Sequence, residues 1–177
     1  MGVKSSGDIA IRPAPGNPRE GRIALAHGVR RVALGRTGVA ALKHEGDGAT
    51  PLGRFPVREV LYRADRVSRP RTRLSLRAIR AGDGWCEDPA DRDYNRLVRV
   101  SSRPGVDSLT RTDHLYDVVL VPGYNDRPRV RGKGSAIFLH LARPGYLPTE
   151  GCIALSRHDL LLLLAQARRG SAIVVMR

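Results

Sequence analysis

The sequence Ile-Phe-Leu-His at residues 137–140 is followed, after a polar loop that contains proline, by Pro-Thr-Glu-Gly-Cys-Ile-Ala-Leu at residues 148–155. Both segments contain short apolar runs of the kind that form buried β-strands. The first run ends at His140, and Cys152 stands between a glycine and the apolar residues of the second run. A turn between two such strands would bring the imidazole and the thiol together. The pair therefore indicates a mainly β domain organised around a cysteine and a histidine.

The chemistry suggested by this pair is nucleophilic catalysis by a thiol. A cysteine near its ordinary pKa is only a few per cent thiolate at neutral pH, so catalysis needs a neighbouring base such as His140. Gly151 permits close backbone approach beside Cys152, where backbone N–H groups could bind the oxyanion of a tetrahedral intermediate. On residue types alone, a buried cysteine and an unrelated histidine remain the alternative. The local pattern favours a cysteine-dependent acyl-transfer enzyme.

The rest of the chain is read as short strands separated by turns. Apolar runs bounded by glycine and charge predict strands at residues 23–26, 31–34, 38–42, 55–62, 73–80, 96–100, 115–121, 135–141 and 171–176. The runs at 115–121 and 135–141 are continuous, which indicates central strands buried on both faces. Ser156 as N-cap, with Asp159 three residues later, predicts one helix through Arg168 that ends at Gly170. We predict a mainly β sandwich or partly closed barrel with one helix after the cysteine loop.

Length and composition predict one domain. The 177 residues, 41% of them hydrophobic, suffice for a single core. We assign residues 1–20 to a flexible N-terminal extension and residues 21–177 to the domain. The N-terminus lacks the apolar region of a signal peptide, and Leu160–Leu164 is too short to span a bilayer. Residues 82–95 predict a long acidic loop with a functional role. A monomer is expected, because no coiled coil or long exposed apolar segment is present.

The charge balance is strongly basic. There are 31 Lys and Arg residues against 17 Asp and Glu residues, a net charge of +14. Such a field attracts polyanions, but Arg-rich usage from a GC-rich genome explains it equally well. No dense basic run occurs, so no specific nucleic-acid partner is predicted. Two cysteines, Cys86 and Cys152, exclude a disulfide framework and argue against a structural zinc site. No metal and no cofactor are expected.

Residues 149–155, preceded by His140, resemble the catalytic domain of the L,D-transpeptidase (YkuD-like) family. Residues 49–55, Ala-Thr-Pro-Leu-Gly-Arg-Phe, are similar to the Ala-Thr-Pro-x-Gly-x-Phe segment near the start of that domain. The resemblance covers about residues 23–177 and implies a β-rich fold with Cys152 as nucleophile, His140 as general base and Gly151 as the glycine before the nucleophile.

The activity that this resemblance implies is cross-linking of peptidoglycan, in cell wall biogenesis and the maintenance of cell shape. The cysteine attacks the carbonyl of the third stem-peptide residue, releases the terminal D-alanine and passes the acyl group to an amine. The implied partners are donor and acceptor stem peptides. The implied location is the periplasm or the cell wall, and carbapenem-type β-lactams would acylate Cys152.

The chain departs from the family pattern close to the cysteine. Glu150 stands where the family usually has histidine, Ala154 stands where it often has arginine or asparagine, and the segment from His140 to Cys152 is short. Another residue must then bind substrate carboxylates, and Arg143 and Arg157 are the candidates. The further candidates for substrate contact are Thr149, Glu150, Tyr146 and Trp85. His114, Tyr116 and Tyr124 are weaker candidates from neighbouring segments.

Three functions remain open from the sequence. The first is an L,D-transpeptidase, and the second is an L,D-carboxypeptidase or amidase in which water replaces the acceptor amine. The third is a non-catalytic basic module that binds an anionic polymer through its arginines. The motifs favour an enzyme, but the bond attacked, the linkage formed and the role of Cys86 stay undetermined.

Overall fold

The computed structural model of the protein describes residues 7–99 and 102–177. The described residues form strands β1 (Ile9–Ala14), β2 (Asn17–Leu25), β3 (Gly28–Ala33), β4 (Val39–Ala40), β5 (Thr50–Pro51), β6 (Gly53–Tyr62), β7 (Leu76–Ala78), β8 (Gly84–Cys86), β9 (Leu97–Val98), β10 (Val106–Ser108), β11 (Val118–Pro122), β12 (Leu139–Leu141), β13 (Ile153–Leu155) and β14 (Ala172–Val175). They also form a short 3₁₀ turn (Pro144–Tyr146) and helix α1 (Arg157–Gln166).

The main sheet closes on itself. In the described part of the chain, nine strands are hydrogen-bonded in the order β11-β12-β13-β3-β2-β1-β14-β6-β7. Strand β11 also pairs antiparallel with β6, so the two ends of the sheet meet. The result is a partly closed barrel, flanked by the small sheets β10-β8-β9 and β4-β5. The predicted mainly β fold, with one helix after the cysteine loop, is confirmed.

The barrel interior is filled by apolar side chains from alternating strand positions and from the helix. Strands β11 and β12 are buried at every position, as predicted from their continuous apolar runs. Helix α1 packs against β12 and β2 and buries Leu160, Leu163 and Leu164. A second apolar cluster around Phe138, Trp85 and Tyr116 lies outside this core. This second cluster lies directly behind the cysteine, because Cys152 packs against it.

The N-terminal part of the chain differs from its prediction. Residues 1–6 lie outside the described residues, but β1 is an interior strand of the sheet. It pairs parallel with β14 and antiparallel with β2. Its side chains alternate, and Ile9 and Ile11 are fully buried. Residues 9–14 therefore belong to the sheet rather than to an extension, because their apolar face completes the wall between β2 and β14.

Several predicted strands are shorter in the structure. The run at 115–121 begins its strand only at Val118, because Asp113 Oδ1 accepts the N–H of Leu115 in a preceding turn. The run at 135–141 is a strand only from Leu139, because Ala136 has a φ of 48°. The run at 73–80 retains three residues, β7, and Val100 of the run at 96–100 lies outside the described residues.

The acidic segment 82–95 is not wholly a loop. It contains the buried strand β8, which pairs with β9 and β10. Helix α1 has the predicted N-cap, since Ser156 Oγ accepts the N–H of Asp159 at 3.1 Å. The helix ends at Gln166, two residues before the predicted end, because Ala167 is extended.

No helix in the described ranges is both long enough and apolar enough to cross a membrane.

Candidate active site

Strands β12 and β13 place the histidine and the cysteine on the same side of the sheet. The two strands are parallel neighbours, with His140 opposite Ala154. Cys152 precedes Ala154 by two positions, and residues two apart on an extended chain face the same side. Cys152, His140 and Ala154 accordingly line one cavity of about 400 Å³. The structure thus brings together the two residues that the sequence singled out.

The loop before Cys152 is held by threonine hydroxyls. Thr149 Oγ1 donates to the carbonyl of Cys152 at 2.6 Å and accepts the N–H of Gly151 at 3.1 Å. Thr50 Oγ1 also reaches the Cys152 carbonyl, at 3.4 Å, and accepts the N–H of Gly35. These bonds fix the backbone on both sides of the thiol. The two sequence motifs, around residues 50 and 152, are therefore packed against each other.

Gly151 is required by this packing. Its φ is 132°, a value that residues with side chains rarely adopt. A Cβ built at this position would lie 2.8 Å from the carbonyl oxygen of Ala49. The glycine lets the cysteine loop approach the segment 49–50 more closely than any other residue allows.

The Cys152 thiol is held in its neutral form. Its Sγ–H donates to the carbonyl of Ala136 at 3.1 Å, and its Sγ accepts the N–H of Phe138 at 3.3 Å. Burial raises the pKa of Cys152 to about 12, although the Phe138 N–H acts in the opposite direction. The thiol therefore keeps its proton at neutral pH until a base removes it.

His140 is oriented as a base. Its ring is buried, and Nδ1 lies 2.8 Å from the carbonyl oxygen of Leu141. A carbonyl only accepts, so Nδ1 carries the ring proton and Nε2 is free to accept another. Burial lowers the pKa of His140 to about 4. The edge of the imidazole packs against the Tyr116 ring, with centroids 5.5 Å apart.

One wall of the cavity is acidic. Glu45, Glu87 and Asp107 all contribute to its lining. Asp107 accepts the hydroxyl of Tyr116 at 2.7 Å, and Glu45 accepts that of Ser135 at 2.8 Å. Burial, reinforced by the negative charges of Asp107 and Glu45, raises the pKa of Glu87 to about 7. Carboxylates crowded in this way favour a cationic partner.

Positive charge belongs to the same lining, and Arg111 Nη1 donates to Asp107 Oδ1 of the acidic wall at 3.4 Å. Lys43, Arg111 and Arg143 supply this charge. Lys43 is buried, and its Nζ donates to Asp47 Oδ1 at 2.6 Å. Arg111 forms a bidentate pair with Asp113 and lies over the ring of Tyr116. The cavity therefore presents both charge signs within reach of the thiol.

Only some of the residues predicted to contact substrate line the cavity of Cys152. Arg143, Thr149 and Glu150 line the cavity, and Glu150 is an exposed carboxylate paired with Arg36 at 2.8 Å. Within the described part of the chain, the lining does not include Arg157, Tyr146 or Trp85.

Each of these three side chains lies elsewhere. Arg157 is exposed at the start of α1. The guanidinium of Arg31 lies over the ring of Tyr146, with its Cζ 4.7 Å from the ring centroid. Trp85 packs edge-on against Phe138, behind the cysteine. Of the weaker candidates, Tyr116 reaches this cavity, whereas Tyr124 lines another one.

Five polar or charged lining residues were not proposed as site residues from the sequence: Lys43, Glu45, Asp107, Arg111 and Ser135. Ser135 begins the predicted strand 135–141, whereas the other four come from segments that are distant in sequence from Cys152 and carry no recognisable motif. Lys43 could have been noticed in the sequence. It is one of three lysines in the chain, and it precedes the motif at residue 49 by only a few positions. Glu87, in contrast, belongs to the acidic segment that was expected to be functional.

Comparison with protein families gives one match. The family model described as YkuD, L,D-transpeptidase catalytic domain, matches residues 19–175 of the chain. Neither the search of curated proteins nor that of solved structures found a match. The matched range includes both motifs and every residue of the cavity described above.

Proposed function

Because the chain belongs to the L,D-transpeptidase catalytic domain family, we propose that it cross-links peptidoglycan stem peptides through a thioester on Cys152. The observation that carries this proposal is the shared cavity of Cys152 and His140, in which the bond from Nδ1 to Leu141 leaves Nε2 as the base. The residue types, the tautomer and the cavity fit acyl transfer by a thiol.

The first half-reaction forms the acyl-enzyme. Cys152 Sγ attacks the carbonyl of the donor peptide while its proton passes to His140 Nε2. The tetrahedral intermediate collapses, the bond from the carbonyl carbon to nitrogen breaks, and the imidazolium returns the proton to the departing amine. The products are a thioester and a free D-amino acid, and His140 is neutral again.

The neutral resting pair determines the timing of proton transfer. Burial raises the pKa of Cys152 and lowers that of His140, so both effects oppose a preformed thiolate–imidazolium pair. Transfer of the proton from sulfur to Nε2 therefore accompanies attack on the carbonyl, as in a serine hydrolase. A bound substrate that draws Sγ–H away from the carbonyl of Ala136 would start this step.

The oxyanion is assigned to backbone donors of the cysteine loop. The N–H of Gly151 is already taken by Thr149 Oγ1, and the N–H of Phe138 points to the sulfur. The N–H of Cys152 is then the donor that this loop offers to the carbonyl oxygen as negative charge develops there. Its position is fixed by the threonine bonds to the carbonyl of the same residue.

The second half-reaction determines whether the enzyme is a transferase. An acceptor amine attacks the thioester, His140 Nε2 takes a proton from the amine, and Cys152 leaves with a proton from the imidazolium. If water takes the place of the amine, the same residues produce an L,D-carboxypeptidase. The acidic wall of Glu45, Glu87 and Asp107 supports the transferase, because it would hold an ammonium-bearing stem peptide.

Donor carboxylates are assigned to Arg143 and Lys43. Both line the cavity together with Ala154, which stands where the family often has arginine or asparagine. Lys43 would exchange its bond to Asp47 for one to the substrate. We further propose that the enzyme works in the periplasm or at the cell wall. Carbapenem-type β-lactams would then acylate Cys152 as donor analogues.

The test is incubation of the protein with muropeptides that contain a diamino acid, followed by mass spectrometry of the products. We expect loss of a terminal residue and appearance of peptide dimers. Both should disappear in Cys152→Ala, while the matched variant Cys86→Ala, at a buried cysteine outside the cavity, should retain both.

Two other results would change the assignment. Loss of the terminal residue without dimers would identify a carboxypeptidase. No product from a folded protein, together with strongly salt-dependent retention on cell-wall polymer that survives Cys152→Ala, would replace catalysis by the binding-module function.

A further inference from the structure

A second cavity lies behind the segment that supports the cysteine. Its volume is about 250 Å³, and Ile137 and Phe138 form part of its wall. Ile137 also lines the cavity of Cys152, so the two cavities are separated by one stretch of chain. Nothing in the proposed catalytic cycle uses this second cavity.

Arginine dominates the charge of this cavity. Four arginines line it, together with two carboxylates: Arg58, Arg96, Arg127 and Arg129, with Glu59 and Asp126. The carboxylate of Asp126 is occupied, since Arg58 Nε donates to it at 2.7 Å. Among residues 7–99 and 102–177, the other three arginines form no ion pair. The cavity therefore contains positive charge that the protein itself does not neutralise.

Arg96 and Arg127 both lie close enough to Arg129 to repel its charge. Burial, then the charges of Arg96 and Arg127, lower the pKa of Arg129, against the opposing effect of Asp126. The N–H at Nε of Arg129 donates to the carbonyl of Asn95 at 3.2 Å, which holds the guanidinium at the cavity. The lining has four guanidinium groups against the two carboxylates of Glu59 and Asp126, and this excess of positive charge favours an anion that bridges the arginines.

The wall behind these arginines is built from hydrogen-bonded side chains. Asn95 is buried, and its Oδ1 accepts the indole N–H of Trp85 at 2.8 Å. Its Nδ2 donates to the carbonyls of Tyr124 and Asn125 at 3.0 and 2.9 Å. These bonds fix one side of the cavity, so binding there does not require the wall to be ordered first.

We propose that this second cavity is a binding site for a multiply charged oxyanion, such as a phosphate group. Guanidinium groups match the geometry of oxyanions through paired N–H donors. Three guanidinium groups around a small cavity match the charge of a dianion better than they match the charge of a monocarboxylate. The proposal does not depend on the catalytic one, because Cys152 and His140 are not part of the second cavity.

The chain contains its own reporter for the test. Trp85 is the only tryptophan in the sequence, and it lines the second cavity. We would titrate the full chain with inorganic phosphate at pH 7 and follow the emission of Trp85, together with the thermal unfolding midpoint. Chloride and acetate at equal ionic strength are the reference titrations. We expect saturable change with phosphate only, and a rise in the midpoint with phosphate concentration.

Arginine variants then locate the site. Arg127→Gln and Arg129→Gln should each weaken phosphate binding by about tenfold or more, the usual loss for a charge-assisted hydrogen bond. Arg169→Gln is the matched control, because it removes the same charge from an exposed position beyond helix α1 and should leave the affinity unchanged. Both arginines are exposed, but Arg129 also bonds to the carbonyl of Asn95, so Arg127→Gln serves alone if Arg129→Gln fails to fold.

Two results would overturn the proposal. One is the absence of any phosphate-specific change in both emission and midpoint. The other is equal weakening in Arg169→Gln, which would show a response to net charge rather than a site. A titration with malonate distinguishes a phosphate site from a dicarboxylate site. If malonate binds more tightly than phosphate, the cavity is still an oxyanion site, but its ligand is a dicarboxylate.

Discussion

The protonation of Cys152 distinguishes this site from cysteine enzymes that rest as ion pairs. Its side chain is partly buried, with the sulfur hydrogen-bonded to Ala136 and Phe138, and the imidazole of His140 in the same cavity is buried. A charged pair in this position would lose its hydration without gaining enough from the two backbone contacts. The proposed reactivity of the site therefore depends on the orientation of His140 as a base rather than on a preformed thiolate.

Alkylation of Cys152 by iodoacetamide is expected to show this directly. With the pKa of the thiol raised to about 12 by burial, the thiolate fraction grows about tenfold per pH unit across the neutral and mildly alkaline range. The rate constant should rise accordingly from pH 7 to pH 9, measured by mass spectrometry in a Cys86→Ala background. A rate that levels off below pH 9 would show a stabilised thiolate instead.

Glu87 is expected to make stability depend on pH. Its pKa is raised from an ordinary 4.5 to about 7, so folding favours the protonated carboxyl. The stabilisation is complete below pH 4.5 and is lost as the pH rises through 7. Between pH 4.5 and pH 8, the free energy of unfolding of Glu87→Gln should therefore gain up to about 3 kcal/mol relative to the unchanged protein. Urea titrations at the two pH values measure this, and a constant difference would contradict it.

For individual residues, the sequence identified the pair proposed to react, Cys152 and His140, but not the side chains around them. Cys152 and His140 could be recognised because each belongs to a short local pattern. The charges around them come from segments near residues 45, 87, 107 and 111, and only the closed sheet brings these together. A contact between distant segments leaves no periodic or motif signal in one sequence, so the composition of the cavity wall could not be predicted.

Among the structural elements, the loop from Thr149 to Cys152 determines the position of the proposed nucleophile. It is fixed by hydroxyl contacts and by the approach of Gly151 to the carbonyl of Ala49. The parallel pairing of β12 and β13 determines which side of the sheet the two reacting groups face. Displacement of this loop would separate the thiol from Nε2 without changing either residue.

Gly151→Ala is expected to damage this element in two ways. The new Cβ would lie 2.8 Å from the Ala49 oxygen, and the φ of 132° would be strained. We expect a loss of about 1–3 kcal/mol in the free energy of unfolding, together with loss of acylation at Cys152. Circular dichroism with urea and intact-protein mass spectrometry provide the two measurements.

Gly132→Ala is the matched control for this prediction. Its φ is 76°, also in the left-handed region, but a Cβ there meets nothing within 4 Å. It should cost less stability and leave acylation intact. Equal effects of the two substitutions would mean that backbone strain, rather than the contact with Ala49, is what matters at Gly151.

The elements could be predicted in kind and in approximate position, but less well in extent. Apolar runs located β11 and β12, and the cap at Ser156 located α1. The start of β11 was shifted by a side-chain turn at Asp113, and β12 was shortened by the left-handed Ala136. Both are decided by single hydrogen bonds or dihedral angles, which apolar periodicity does not encode.

For the molecule as a whole, the position of β1 is the feature of the sheet that differs most from the sequence prediction. The strand lies between β2 and β14, so the first and last strands of the chain are neighbours in the same sheet. The strand was mistaken for part of an extension because it is short, contains Pro13 and is followed directly by Pro15 and Gly16. Its two isoleucines nevertheless enter the main core. The pattern of short apolar runs predicted the fold class correctly, while the order of strands required tertiary contacts.

Ile11→Ala is expected to test this placement. The side chain is fully buried, and its removal leaves a cavity in the main core. We expect a loss of about 2–5 kcal/mol in the free energy of unfolding, measured by urea denaturation. Arg12→Ala, at the next position and exposed, is the control and should change stability by less than about 0.5 kcal/mol. If both substitutions change the free energy of unfolding by similarly small amounts, β1 does not unfold together with the rest of the sheet.

The pairing of β1 with β14 also has a mechanical consequence. The strands are parallel, with Ile9 beside Ile173 and Ile11 beside Val175. Tension applied to the chain before β1 and after β14 pulls the two strands in opposite directions along their length. The bonds between them are then loaded together in shear rather than opened one after another. An optical-tweezers experiment that pulls through these two points should accordingly meet higher resistance than one that peels β1 away from β2.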